Sequence, residues 1–161
     1  MFVPDIRFCD SKDLPALLEL NSASSCPWPD NVIASDLNPN SDIGITYLGA
    51  FATSPGAKLL GYAVLGSERK AGLLMGLNVR PEYRRRGIGS QLLSAVGDCA
   101  AWLGFAKLRL RVRRSNTAAF ELYKSMSFAQ DGVSRGYYSN GEDAILMSAR
   151  LPFKPYGVIG Q

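Results

Sequence analysis

Nine consecutive residues, Glu82-Tyr83-Arg84-Arg85-Arg86-Gly87-Ile88-Gly89-Ser90, set three guanidinium groups and two glycines just ahead of a stretch, residues 91–103, whose apolar positions recur at helical spacing. The chemistry this permits is anion binding. The first N–H groups of a helix have no intrahelical acceptor and lie at the positive end of its dipole, and a glycine backbone lets a phosphate come close to them. Two common phosphate loops are excluded. A triphosphate loop, G-x-x-x-x-G-K-[ST], needs a lysine after its second glycine, whereas Gly89 is followed by Ser90 and Gln91. A dinucleotide loop, G-x-G-x-x-G, needs a glycine where Leu92 stands and an acidic residue about 20 positions on, near Lys107. A pyrophosphate loop of the R-x-x-G-x-G kind remains, built from Arg84, Arg85, Arg86, Gly87, Ile88 and Gly89.

Elements that would position this loop can be read around it. The alternation of Arg109, Arg111 and Arg113 with Leu108, Leu110 and Val112 predicts a half-exposed strand over residues 107–113. Other strands are expected at 5–8, 43–52, 58–66, 72–79, 128–138 and 143–151. Helices are expected after Ser11, which reads as an N-cap, around Val32, Ile33 and Leu37, from about Gly87 to Leu103 with Gly104 ending it, and over 116–125. The polar stretch 67–70 reads as a turn. The order β-α-α-β-β-β-α-β-α-β-β is a single α+β domain over 1–151, followed by a proline- and glycine-rich tail, 152–161.

Composition bounds the function. A chain of 161 residues with 47 % hydrophobic and 20 % charged residues is the size and balance of one globular domain. No apolar run approaches the ~20 residues of a membrane span, and the N-terminus lacks the pattern of a secretion signal, so the expected address is the cytoplasm. Cys9, Cys26 and Cys99 are odd in number and widely spaced, and there is no histidine, so neither a disulfide framework nor a metal site is expected. The net charge of +4 invites a nucleic-acid reading. It ranks last, because Tyr137 and Tyr138 are not interleaved with the arginine clusters as a base-stacking platform requires.

The stretch Leu77-Asn78-Val79-Arg80-Pro81-Glu82-Tyr83 with its glycine loop resembles the coenzyme A site of the GNAT acetyltransferases, whose fold has the same order of elements. That resemblance implies a mixed, mostly antiparallel sheet of about seven strands with a splayed central pair, and about four helices. It implies acetyl-CoA as co-substrate and no metal. Backbone contacts to the cofactor fall on Leu77, Asn78 and Val79, with the Val79 amide toward the thioester carbonyl. The pyrophosphate falls on Arg84 to Ser90, and a further contact on Asn116, which also reads as an N-cap.

The segment from Asn116 through Ala119 and Tyr123 to Phe128 matches the family pattern N-x-x-A-x-x-x-Y…F, in which the tyrosine protonates the departing thiolate. Read without the resemblance, Ala119, Phe120 and Tyr123 are one apolar stripe of a helix. Arg135-Gly136-Tyr137-Tyr138 with Gly141-Glu142-Asp143-Ala144 and Met147, together with Cys26-Pro27-Trp28, is similar to signatures of the N-terminal acetyltransferases of the bacterial ribosomal-alanine group. The implied acceptor is a protein N-terminus, for instance of a ribosomal protein, met by Tyr137, Tyr138, Arg111 and Glu142 in a monomer or weak homodimer.

One position departs from that group. Its strand carries a glutamate, the proposed base, where this chain has Arg111, which cannot take a proton. An α-amine, pKa about 7.7 to 8.0, is partly neutral near neutrality, whereas freeing a lysine amine costs roughly 4 kcal/mol. The departure therefore fits an α-amine better. Water held by a backbone carbonyl of the 72–79 strand or by Glu142 stands as the alternative base, and Arg111 as a contact for acidic groups on the acceptor. Two other readings stay open: transfer to a small amine or lysine, and an acyl-CoA-binding or ribosome-interacting protein without catalysis.

Overall fold

The computed structural model describes residues 3–153. Its elements are β1 (Asp5–Phe8), α1 (Leu14–Ser22), α2 (Asp30–Asp36), β2 (Thr46–Phe51), β3 (Leu59–Glu68), β4 (Ala71–Val79), α3 (Ile88–Trp102), β5 (Lys107–Arg113), α4 (Thr117–Ser125), β6 (Ala129–Ser134) and β7 (Ala144–Arg150). The expected order holds throughout. Seven strands form one sheet in the order β1-β2-β3-β4-β5-β7-β6, antiparallel except for the β4–β5 pair. No helix among the described residues is long and apolar enough to cross a membrane.

Two cores lie on opposite faces of the sheet. On one face α3 buries Ile88, Leu92, Leu93, Val96 and Ala100 against Leu60, Ala63, Leu65, Leu108 and Leu110, each large side chain contributing about 1.5–3 kcal/mol by leaving water. On the other face α1 and α2 bury Leu17, Leu20 and Ile33 against Tyr47, Phe51, Leu59, Tyr62 and Val64 of β2 and β3. Among the described residues no helix covers the β5–β7 half of that second face. There the arginines of β5 stand half-exposed while Leu108, Leu110 and Val112 are buried, as the alternation predicts. Phe153 joins the first core beside Phe128; most of the expected tail, positions 154–161, lies outside the described residues.

Three local readings are corrected. Ser11 does not cap α1: Asp10 caps a short 3-10 turn, Ser11–Asp13, by accepting from the Lys12 N–H, and α1 begins only at Leu14. The turn between β3 and β4 is two residues rather than four, because Arg69 and Lys70 both adopt positive φ, 48° and 64°, the twist of a tight hairpin. β3 consequently runs on to Glu68, opposite Ala71. The strand expected to reach Tyr138 stops at Ser134, and the chain turns at Gly136, φ 61°.

The Asp10 turn is itself held by charge. Asp13 accepts two hydrogen bonds from Arg7, both 3.0 Å, and one from the Asp10 N–H, 2.9 Å, and its side chain is only 10 % exposed. The Arg7 guanidinium holds the Asp13 carboxyl below the ordinary carboxylate range. A depressed carboxylate adds stability above its unfolded pKa of about 3.9 and loses it as pH falls through the folded value. Asp13→Asn is therefore expected to cost about 1–3 kcal/mol at pH 7 and much less near pH 3. Thermal unfolding of both chains at the two pH values measures the difference, and equal losses at both would refute it.

Candidate active site

The parallel pairing of β4 with β5 covers only Gly72, Leu73 and Leu74 against Leu108, Arg109 and Leu110. Beyond it the two strands part, and β4 continues to Val79 with its β5-facing edge open. A bulge helps to turn it, since β3 pairs Val64 with Gly76 but Leu65 with Leu74, leaving Met75 as the extra residue. The Arg80 N–H goes to Leu60 of β3, 2.8 Å. By the two-residue period of a strand, the peptide groups of Leu77 and Val79 face the opening. This is the splayed pair the resemblance implies.

Beyond Val79 the backbone turns through a 3-10 segment, Pro81–Tyr83, into the glycine loop. Arg85 and Gly87 take positive φ, 61° and 83°, and Gly87 is the N-cap of α3 with no side chain capping it. The N–H groups of Ile88, Gly89 and Ser90 have no acceptor among the described residues. Those are the orphan donors that a pyrophosphate satisfies. The three arginines are not equivalent. The Arg84 Nε donates to the Val79 carbonyl at 3.0 Å, bracing the loop against the strand end, and Arg86 lies over the Tyr83 ring, 5.2 Å from its centre. A Cβ on Gly89 would stand 3.3 Å from Leu122, so the start of α3 packs directly on α4. Loop and strand edge together suit a pyrophosphate-linked thioester.

Asn116 caps α4 by accepting from the Ala119 N–H, 3.2 Å. It also lines a cleft of about 220 Å³ together with Leu77, Asn78, Arg84, Tyr62, Trp28 and Cys26. α4 carries Tyr123 inward, 7 % exposed, its ring 5.8 Å from that of Phe128. Burial pushes its phenol above the ordinary tyrosine range, and the neighbouring Tyr138 adds to the rise. The Tyr123 hydroxyl bonds to no described residue, yet no buried side-chain oxygen or nitrogen lacks a partner among them. The hydroxyl therefore opens onto accessible space, which a sealed core tyrosine would not do.

On the other side of the opening, Tyr137 and Tyr138 meet edge to face at 5.0 Å. Arg111 lies 5.4 Å from the Tyr137 ring and Arg113 4.0 Å from that of Tyr138. The site thus brings Tyr138 beside Tyr123 and sets Arg111 further back, paired with Glu68 at 2.6 Å. Glu142 holds the loop rather than pointing outward: it accepts from the Ser115 N–H, 3.1 Å, from Asn140 and from Arg113. Ser115 above all keeps its carboxyl below the usual range, which makes it a weak base.

Three supporting residues escaped the sequence reading. Asn21, 3 % exposed, donates to the Trp28 carbonyl at 2.8 Å and accepts from the Trp28 N–H at 2.9 Å, fixing the α1–α2 loop that walls the cleft. Nothing in the sequence separates it from a surface asparagine at a helix end. Arg80, 9 % exposed, joins the end of β4 to α1 by donating to Glu19 and to the Leu59 carbonyl. Its only signal is its place ahead of Pro81. Tyr62, buried beside Asn78, completes the wall. Asn21→Ala leaves both Trp28 backbone groups without their partner, and is expected to raise the acceptor KM several-fold while lowering stability by about 1–3 kcal/mol. Steady-state kinetics with Tm on the same sample would test this; an unchanged acceptor KM counts against the loop as a wall of the acceptor site.

No group of three or more metal-ligating side chains occurs among the described residues. Among proteins of known function, the chain is 33 % identical over 147 residues to the ribosomal protein bS18-alanine N-acetyltransferase of Escherichia coli K12, spanning 89 % of this chain and 95 % of that one. It is 42 % identical over 83 residues to an N-alpha-acetyltransferase of Sulfurisphaera tokodaii, about half of each chain. The crystal structure of the Escherichia coli ribosomal-protein-S18-alanine N-acetyltransferase superposes with a TM-score of 0.79 at 29 % identity, covering 98 % of this chain and all of that one. The model of the acetyltransferase (GNAT) family matches residues 16–128. With its fold, its parted strands and its glycine loop all accounted for, the chain belongs to the GNAT acetyltransferase family.

Proposed function

We propose that the protein transfers the acetyl group of acetyl-CoA to the N-terminal α-amine of a protein, of the ribosomal-alanine kind, by direct attack in a ternary complex. The observation that carries this is the parting of β4 and β5, with the uncapped α3 N-terminus following the end of β4, together with a Tyr123 hydroxyl that bonds to no described residue. The pyrophosphate lies on Ile88, Gly89 and Ser90, and the thioester carbonyl receives the Val79 N–H, stabilising the oxyanion as the amine adds. Tyr123 gives its proton to the departing sulfur, and the nitrogen, which carries an extra proton once it has added, releases it to water held at the backbone carbonyls of β4. In water a phenol lies about 1.5 pKa units above a thiol, about 2 kcal/mol, and the burial of Tyr123 widens that gap unless the thiol is buried with it.

Neither candidate side chain of the sequence reading is free to act as base. Arg111 is a cation, and Glu142 is committed to Ser115, Asn140 and Arg113. An α-amine tolerates this because a sizeable fraction is neutral near pH 7.5, while a lysine amine is about 2.5 units less acidic. Relatives named as acting on N-terminal residues support the same acceptor. The site serves a cytoplasmic acceptor such as a nascent or ribosomal protein. Intact-mass analysis of N-terminal peptides incubated with the protein and acetyl-CoA is expected to gain one acetyl, located on the α-amine. Acetylation confined to lysine or to small amines would overturn the reading.

A further inference from the structure

The face of the sheet that no helix covers holds a second cleft, of about 380 Å³, larger than the one beside Trp28. Its cations are Arg109 and Arg111, with Lys107 at the start of β5 and Arg69 of the hairpin turn; its carboxylates are Glu68 and Asp131. Arg111 engages Glu68 at 2.6 Å, which offsets that charge, whereas Lys107 and Arg109 form no ion pair among the described residues. The cleft is therefore net positive and its cations face solvent. Tyr137 forms part of its wall, packs on Arg111, and meets Tyr138, which packs on Arg113. Arg113 also stands near enough to Cys26, a residue of the first cleft, to interact with it electrostatically. The tyrosine pair thus runs from the second cleft toward the first.

We propose that this second cleft receives acidic side chains of the acceptor polypeptide, several residues beyond the N-terminus being acetylated. This rests on the N-terminal acceptor read above. The spacing agrees: Arg113 and Arg109 are four residues apart on β5, about 13 Å at ~3.3 Å per residue, which an extended peptide crosses in about four residues. With the first residue at the thioester, acidic residues near positions 5–7 reach Arg109 and Lys107. Around Arg109 β5 is already paired on both edges, with β4 over Leu108–Leu110 and with β7, so there the peptide is held by side chains and not by adding a strand. Nucleic acid fits less well. Tyr137 is packed between Arg111 and Tyr138, leaving no stacking platform for bases.

The test uses three peptides with the same first four residues and with acidic, neutral or basic residues at positions 5–7. At low salt the acidic peptide is expected to show about five- to tenfold higher kcat/KM than the neutral one, carried by KM, with the gap closing at about 0.5 M salt. Arg109→Glu is expected to reverse that order and to leave the neutral peptide unchanged. Equal kcat/KM for the three peptides overturns this inference alone. Failure to acetylate any α-amine, with lysine or small amines modified, overturns the acceptor reading and this one together. Inhibition by an oligothymidylate with no preference among the peptides assigns the cleft to nucleic acid and also overturns it.

Discussion

Tyr123→Phe is expected to lower kcat by about 10- to 100-fold while leaving acetyl-CoA affinity nearly intact. The magnitude sits at the low end of general-acid effects because a thiolate leaves more readily than an alkoxide or an amine. The ring stays in place beside Phe128, so packing changes little; only the hydroxyl, which bonds to no described residue, is lost. The pH profile separates this role from a structural one. Since burial raises the Tyr123 phenol, the donor stays protonated across the working range. The rate should climb through the α-amine pKa of about 7.7 to 8.0 and show no descending limb below about pH 10. A descending limb centred below pH 9 that disappears in the phenylalanine variant would falsify the assignment, as would unchanged turnover.

Gly61→Ala should be the most damaging small substitution away from the reacting atoms. A Cβ at Gly61 would stand 2.8 Å from the Asn78 carbonyl oxygen and 3.2 Å from the Val79 Cα. Both are backbone atoms of the strand end proposed to receive the thioester, so β4 itself has to shift. A displacement of even a fraction of an ångström at a reacting centre is costly, and a loss in kcat of about tenfold or more is expected. Two companion variants bracket the result. Gly97→Ala meets the Phe153 ring on the far side of α3, and should cost about 1–3 kcal/mol of stability with little change in kcat. Gly132→Ala in β6 meets nothing within 4 Å and should be neutral. If kcat for Gly61→Ala falls no further than for Gly97→Ala, the strand end is not the positioning element.

Both predictions rest on parts of the molecule of different legibility. The glycine loop, α3 and the amphipathic β5 are local patterns: each is set by the spacing of apolar residues or by residues that tolerate positive φ, so they could be read along the chain. Capping was harder to place, because Asp10, Ser11 and Asp13 can each cap a helix, and only the pull of Arg7 on Asp13 selects the 3-10 turn. The extent of β3 was misjudged for a related reason. Arg69 and Lys70 lack the usual preference for a two-residue hairpin turn, yet the pairing of Glu68 with Ala71 imposes it.

The element order and the anion-binding character of the glycine loop thus follow from residue types and their spacing, while coenzyme A as its ligand and Arg111 at the base position are what the family resemblance implies. The tertiary structure decided what those residues do to one another. It put Arg111 against Glu68 and Tyr137, turned Glu142 into a brace for Ser115, and made Asn21 a clamp on Trp28. These pairs are separated by 43, 26, 27 and 7 residues along the chain. Periodicity reports only which face of its own element a side chain occupies; which partner stands across from it depends on how strands β4 and β5 part and how the loops close over them.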